Sequence, residues 1–202
     1  LARIMSERLG QALGQPFVIE YRPGAGGTIG AEAAARSAPD GYTIVMGAPG
    51  SHSTAASLYA KLGFDPVKDF APIVHVANVP NSVVVHPSMP VKSVPELIAH
   101  AKGRPGEVAF GSAGTGATTH LTGELFALET GVKLTHVPYK GSSQAMVDLL
   151  GGQIPMMFEN LPGAAPQVRA GKLRLLAVTS LKRSPAFPDT PAVSETIPGF
   201  EV

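Results

Sequence analysis

The chain has no cysteine and no tryptophan in its 202 residues. Without cysteine there are no disulfides, thiolate metal sites or cysteine nucleophiles. Aromatic residues are few, 8 Phe and 4 Tyr, which disfavours a sugar site built on ring stacking. Sixteen basic and 15 acidic residues leave a net charge of +1 with no block of like charges, so the clustered Lys and Arg of a nucleic-acid surface are missing. No apolar run approaches the ~18 residues of a membrane span. No P-loop or GxSxG elbow occurs, and the histidines (His52, His75, His86, His100, His120, His136) are scattered. None is spaced to pair on one helical turn, so neither a zinc site nor a local Ser–His–Asp arrangement is read. Catalytic residues, metal ligands and cofactors are all expected to be absent.

What remains is 44% hydrophobic and 15% charged, a foldable globular composition long enough for one large domain or two small ones. Between residues 107 and 179 one unit repeats: a short apolar run, a small polar turn, an amphipathic helix. The turns are Gly111–Gly116 after VAF, Lys140–Ser143 after LTHVPY, and Glu159–Gly163 after IPMMF. Strands alternating with helices indicate an α/β fold with a mostly parallel sheet. Turns of this kind gather along the carboxyl edge of such a sheet, where small ligands bind. Helix N-termini there offer unpaired N–H groups and partial positive charge, which suit an anion. The alternative for their Ser and Thr is plain helix capping.

Elsewhere, Leu1, Ile4, Met5 and Leu9 share a helical face that Gly10 should end. Runs 17–21 and 42–46 read as strands, and 73–86 as two β-branched runs interrupted at Asn78–Asn81. GAGGTIG (24–30) lacks the third glycine of a dinucleotide fingerprint, so a tight turn with close helix packing is favoured. Ser93-x-x-Glu96 is a capping box for a helix ending at Gly103. Leu121, Leu125 and Leu128 form a predicted buried face ahead of Gly131, and 173–178 is the last buried strand. His75 and His136 are read as core or rim histidines; His52 and His120 lie beside Ser/Thr-rich turns. Pro80 and Pro198 suggest two lobes, 1–80 with 197–202 and 81–196.

The stretch VPYKGSSQAMVDLLGGQIPMMFENLPGAAPQVRAGKLRLLAVTS resembles the tripartite tricarboxylate transporter solute receptors, the Bug family of bacterial periplasmic binding proteins. FGSAGTGATTHLTGELF, DGYTIVMG and YRPGAGGTIGAEAAARSAPDGY are similar to the same family. The resemblance implies a type II periplasmic-binding-protein fold, two α/β lobes closing on a carboxylate that is handed to a membrane permease. It implies periplasmic location and no enzymatic activity. By the same resemblance the ligand loops fall on Ala48, Ser51 and His52, on Ser112, Ala113, Gly114, Thr115 and Thr118, and on Lys140, Gly141 and Ser142, with Glu159 where family members often carry Asp. The family begins with a strand and Gly-rich loop and continues past GFEV, so the first lobe is expected to be incomplete and to self-associate. The competing expectations are a ligand-sensing module for a small organic acid and an α/β enzyme.

Overall fold

In the computed structural model, which describes residues 1–202, every strand comes from residues 81–178. The strands are β1 (Asn81–Val85), β2 (Val108–Ser112), β3 (Leu134–Pro138), β4 (Met156–Asn160) and β5 (Arg174–Val178), in the spatial order β3-β2-β4-β1-β5. β2 is parallel to both β3 and β4. β1 lies antiparallel between β4 and β5, so four strands run one way and one returns. β1 can occupy an interior position because Val83, Val84 and Val85 present apolar, β-branched side chains to both faces.

Helices α4 (Val94–Lys102) and α5 (Thr118–Thr130) cover one face, and α6 (Ser142–Leu150) and α7 (Leu161–Arg169) the other. Strand alternation divides the core between them. Met156 and Phe158 join Leu97, Phe110 and Phe126 on one side, while Met157 joins Val84, Leu149 and Ala164 on the other. The Ser93 hydroxyl accepts the Glu96 N–H at 3.3 Å and so caps α4, but the Glu96 carboxylate takes the Lys92 N–H instead of completing the box at Ser93.

On α5 the buried face is Thr119, Thr122, Gly123 and Phe126, not the leucine stripe, and Leu128 is exposed. The cause is close approach to the sheet: a Cβ on Gly123 would stand 2.3 Å from Phe110 Cε2. The small face wins because it lets the Phe110 ring under the helix, and its hydroxyls are satisfied. Thr122 Oγ1 donates to the Thr118 carbonyl and accepts from Asn81 Nδ2 at 2.6 Å.

Residues 1–80 hold helices α1 (Ala2–Leu13), α2 (Thr28–Ala35) and α3 (Ala55–Leu58), with a π-helical turn at Gly50–Thr54, and no sheet. The expectation of a sheet in each lobe is corrected. Runs 17–21, 42–46 and 73–77 make no ladder, and Val18 and Tyr42 are each 93% exposed. β-Propensity without a paired neighbour and a covered face does not hold a strand. Helix α1 also runs through Gly10 to Leu13, because the left-handed stop is Gly14 at φ 68°. Residues 197–202 pack with the sheet, not with 1–80. Phe200 is buried against Phe126, and Val202 and Thr179 exchange hydrogen bonds.

Candidate functional site

The three repeated turns stand together at the carboxyl ends of β2, β4 and β3, as parallel βα units require. Against them lie two segments of the first eighty residues, 23–27 and 48–50. Between these five segments is a cavity of about 270 Å³. It is lined by Pro23, Gly24, Gly26, Gly27, Ala48 and Gly50 from one side of the molecule. From the other come Ala113, Ala117, Thr118, Thr119, Lys140, Gly141 and Asn160. Lys140 is the one charged residue in that set.

The helix starts facing this cavity share a feature. The N-caps of α2, α5, α6 and α7 are Gly27, Ala117, Gly141 and Asn160, all four in the lining, and none receives a side-chain cap. α4, whose Ser93 does cap it, starts away from the cavity. The first N–H groups of an α-helix have no intrahelical acceptor and need a partner from elsewhere. Here the residues at the cap positions of α2, α5 and α6 have no side-chain oxygen with which to supply one; at α2 the Thr28 N–H is taken by the Ala25 carbonyl, while the first N–H groups of α5 and α6 have no side-chain cap. The reading of the turns as ordinary Ser/Thr caps is thereby corrected.

The loop 112–117 satisfies most of its own backbone. Ala113 N–H donates to Thr119 Oγ1 at 2.9 Å, Gly114 N–H to Ser112 Oγ at 3.1 Å, Gly116 N–H to His120 Nδ1 at 3.1 Å, and Ala117 N–H to the Gly114 carbonyl. That fixes the loop's shape and leaves the N–H groups of Thr118 and Thr119, in the first turn of α5, as its contribution to the cavity. The two halves of the cavity touch through glycines. A Cβ on Gly26 would lie 2.8 Å from the Thr115 carbonyl oxygen, and Gly26 itself is held at φ 63°. Thr54 Oγ1 donates to the Gly116 carbonyl at 3.3 Å, and Tyr59 Oη to that of Thr115 at 3.2 Å.

Of the expected site residues, Ala48, Ala113, Thr118, Lys140 and Gly141 line the cavity. Ser51, His52, Ser112, Gly114, Thr115, Ser142 and Glu159 do not. Ser51 Oγ lies 2.8 Å from His52 Nδ1, and the His52 ring packs edge-on against Phe70, with Phe64 beside it. Burial lowers the pKa of that imidazole. His75 is exposed in the unpaired run 71–80.

Glu159 was expected to face the cleft. It is 3% exposed, on the sheet face covered by α6 and α7, and the cavity takes its neighbour Asn160 instead because side chains alternate along β4. Its Oε2 has no hydrogen-bond partner. Burial pushes the carboxyl up to about 6, outweighing the polar groups of Ser142 and Asn160 beside it.

The Gly24–Gly27 segment, read from the sequence as a packing turn, is a wall of the cavity. The signal was present in GAGGTIG, but glycines that admit a helix and glycines that admit a ligand look alike in sequence. Nowhere do three or more His, Asp or Glu side chains gather to hold a metal ion.

Comparison with known proteins gives the same picture over the whole chain. The family model described as tripartite tricarboxylate transporter family receptor matches residues 1–202. The R. palustris protein Rpa4515, solved with adipate, is 43% identical with a TM-score of 0.97, covering 100% of this chain and 68% of its own. The periplasmic binding protein BugD is 40% identical with a TM-score of 0.95, covering 100% of this chain and 67% of its own. MatC from Rhodopseudomonas palustris, solved with bound malate, is 32% identical with a TM-score of 0.93, covering 100% and 69%. The chain spans about three-fifths of the length of the curated relatives it matches. With a periplasmic-binding-protein-like sheet and a family-model match that spans residues 1–202, the chain belongs to the tripartite tricarboxylate transporter receptor family.

Proposed function

We propose that the cavity binds a small carboxylate and that the chain is the receptor part of a transport system, delivering that solute to membrane permease subunits. The observation that carries this reading is the set of four helix starts without side-chain caps around one cavity, with Lys140 as its one charge. N–H groups and a cation favour an anion over a neutral or cationic solute. A hydrogen bond to a charged group contributes roughly 1.5–3 kcal/mol, and micromolar affinity needs about 8 kcal/mol, so four or five donors are enough before ordering costs. The adipate and malate held by two relatives belong to this chemical class. The family is one of receptors, which supports binding without turnover. A periplasmic location is supported by the relatives described as periplasmic. We assign residues 1–80 and 81–202 to the two sides of the cleft.

Calorimetry with adipate, malate and adipamide tests the reading. Micromolar binding of a dicarboxylate and none of the diamide is expected. Equal affinity for the diamide, or no affinity for any acid tried, would overturn it.

A further inference from the structure

Behind the loop 112–117, on the side away from the cavity lining, two histidines from different elements stack. The rings of His120 in α5 and His136 in β3 have centroids 4.0 Å apart, and the Phe110 ring lies on His136 at 5.0 Å. Each histidine holds the loop through one nitrogen. Gly116 N–H donates to His120 Nδ1 at 3.1 Å. Ser112 Oγ is 2.6 Å from His136 Nε2 and also accepts the Gly114 N–H at 3.1 Å.

We propose that His120 and His136 are positioning residues for the cavity, a stacked pair of hydrogen-bond acceptors that holds the loop 112–117 in its binding shape and releases it when a ring takes up a proton. Only a bare ring nitrogen accepts an N–H, so neutral His120 carries its proton on Nε2, toward Glu124 Oε1 at 3.6 Å. Assigning the Ser112 hydroxyl hydrogen to His136 Nε2 gives every atom of the Gly114–Ser112–His136 chain one partner. A proton on His120 Nδ1 sets N–H against N–H at Gly116. A proton on His136 Nε2 reverses the bond to Ser112: the oxygen then accepts from both the ring and the Gly114 N–H, and its hydroxyl hydrogen loses its acceptor.

The groups facing the pair are few. From β2 come Phe110 and Ser112, which do not titrate near neutrality, and from α5 comes Glu124; neither ring pairs with any other charge. Burial lowers the pKa of both rings. His136 falls to about 4, with the neighbouring His120 adding to the effect, while Glu124 only partly offsets the burial of His120. Both rings are therefore neutral at pH 7. A released loop would let them return toward the ordinary value near 6.5, so release binds protons. Ligand affinity should accordingly be full above about pH 6.5 and fall as pH drops toward 4.

The binding half of this proposal rests on the carboxylate reading, and the experiment separates the two. On the full chain, Gly114 and Gly116 amide resonances are followed from pH 7.5 to 4.5 without ligand, and adipate affinity is measured over the same range. The variants are His120→Asn, which places an amide oxygen where Nδ1 stands, and His136→Gln, which places an amide group where Nε2 stands. In the unmodified protein both amides are expected to shift in a titration below pH 6.5. In the variants this should vanish. Adipate's own protonation is common to all the proteins, so the expected difference is about tenfold more loss of affinity between pH 7.5 and 5 in the unmodified protein than in the double variant. Amides that stay still to pH 4.5, or that titrate identically in the variants, overturn the proposal. If adipate binds none of the proteins, the carboxylate reading fails and the amide titration still decides. Imidazole nitrogen shifts need no variant: an Nδ1–H tautomer of His120 at pH 7.5 overturns the proposal.

Discussion

Gly50 packs backbone to backbone on Gly26. A Cβ added to Gly50 would stand 2.9 Å from the Gly26 carbonyl oxygen and 3.0 Å from that of Gly116. Gly50 is not among the positive-φ glycines, so this contact alone forbids a side chain. Gly50→Ala should separate the two walls of the cavity and weaken dicarboxylate binding by about tenfold or more, the loss of one strong hydrogen bond. Gly103→Ala, where the new methyl meets only ordinary contacts at 3.7 Å, is the control. Calorimetry on both variants makes the comparison, and an unchanged affinity in Gly50→Ala would remove this contact from the site.

Lys140 supplies the cavity's one formal charge. Lys140→Gln should weaken a dicarboxylate by roughly three- to tenfold and flatten the salt dependence of what remains, since the N–H donors carry only partial charge. Titrations at two ionic strengths read both effects.

Glu159 gives a stability prediction with a definite sign. A buried carboxyl whose folded value is about 6 binds its proton more tightly when folded than when unfolded. Between the ordinary value near 4.5 and 6 the folded state holds more protons, so stability falls as pH rises through that window and stays lower above it. Glu159→Gln removes the penalty. It should raise unfolding free energy at pH 7.5 by about 1–2 kcal/mol and change it little at pH 4.5. Urea denaturation at the two values checks this, and equal effects at both would show that burial of charge is not the cause.

Gly123 and Phe110 make a steric prediction in the core. Gly123→Ala drives a methyl into the Phe110 ring and should cost about 1–3 kcal/mol. Phe110→Leu alone should also destabilise, but the double variant should lose less than the sum of the two. A urea-based double-mutant cycle that proved additive would show that the ring moves aside freely.

Val18, Tyr42, Ile73 and Val74 are exposed on segments that form no ladder. Unpaired β-branched backbone with apolar side chains is a template for another chain. The 202-residue protein is expected to self-associate in a concentration-dependent way, and paired Val18→Lys and Ile73→Lys changes should suppress it. Light scattering across a concentration series decides; a monomer at every concentration would count against the expectation.

The second half of the fold was legible because its signals are local and redundant. VAF, LTHVPY and IPMMF each precede a polar turn and a helix, and parallel βα units leave one arrangement for such turns. The capping pair at Ser93 and the stop at Gly131 marked real ends. Where the reading failed, a distant contact overruled a local pattern. The leucines of α5 lost to Gly123 because Phe110, thirteen residues earlier in sequence, sits beneath the helix. The runs 17–21, 42–46 and 73–77 have strand composition, yet no composition says whether a neighbour is there to pair with. The cavity was half legible. Strand ends announce themselves, whereas the absence of a cap at Gly27, Ala117 and Gly141 becomes informative only once all three point at one space.

The place of β1 in the sheet sets the order of assembly. It comes first in sequence among the five strands of this sheet, yet both of its neighbours, β4 and β5, lie more than seventy residues further along. Contacts of such long sequence separation form slowly. β2, α5 and β3 are close in sequence and can pair early, while the Val83–Val85 segment waits with its apolar faces uncovered until β4 joins it. The β4–β1–β5 side of the finished sheet is therefore its last part to close, and that interval is when the unfolded chain most needs a holding chaperone.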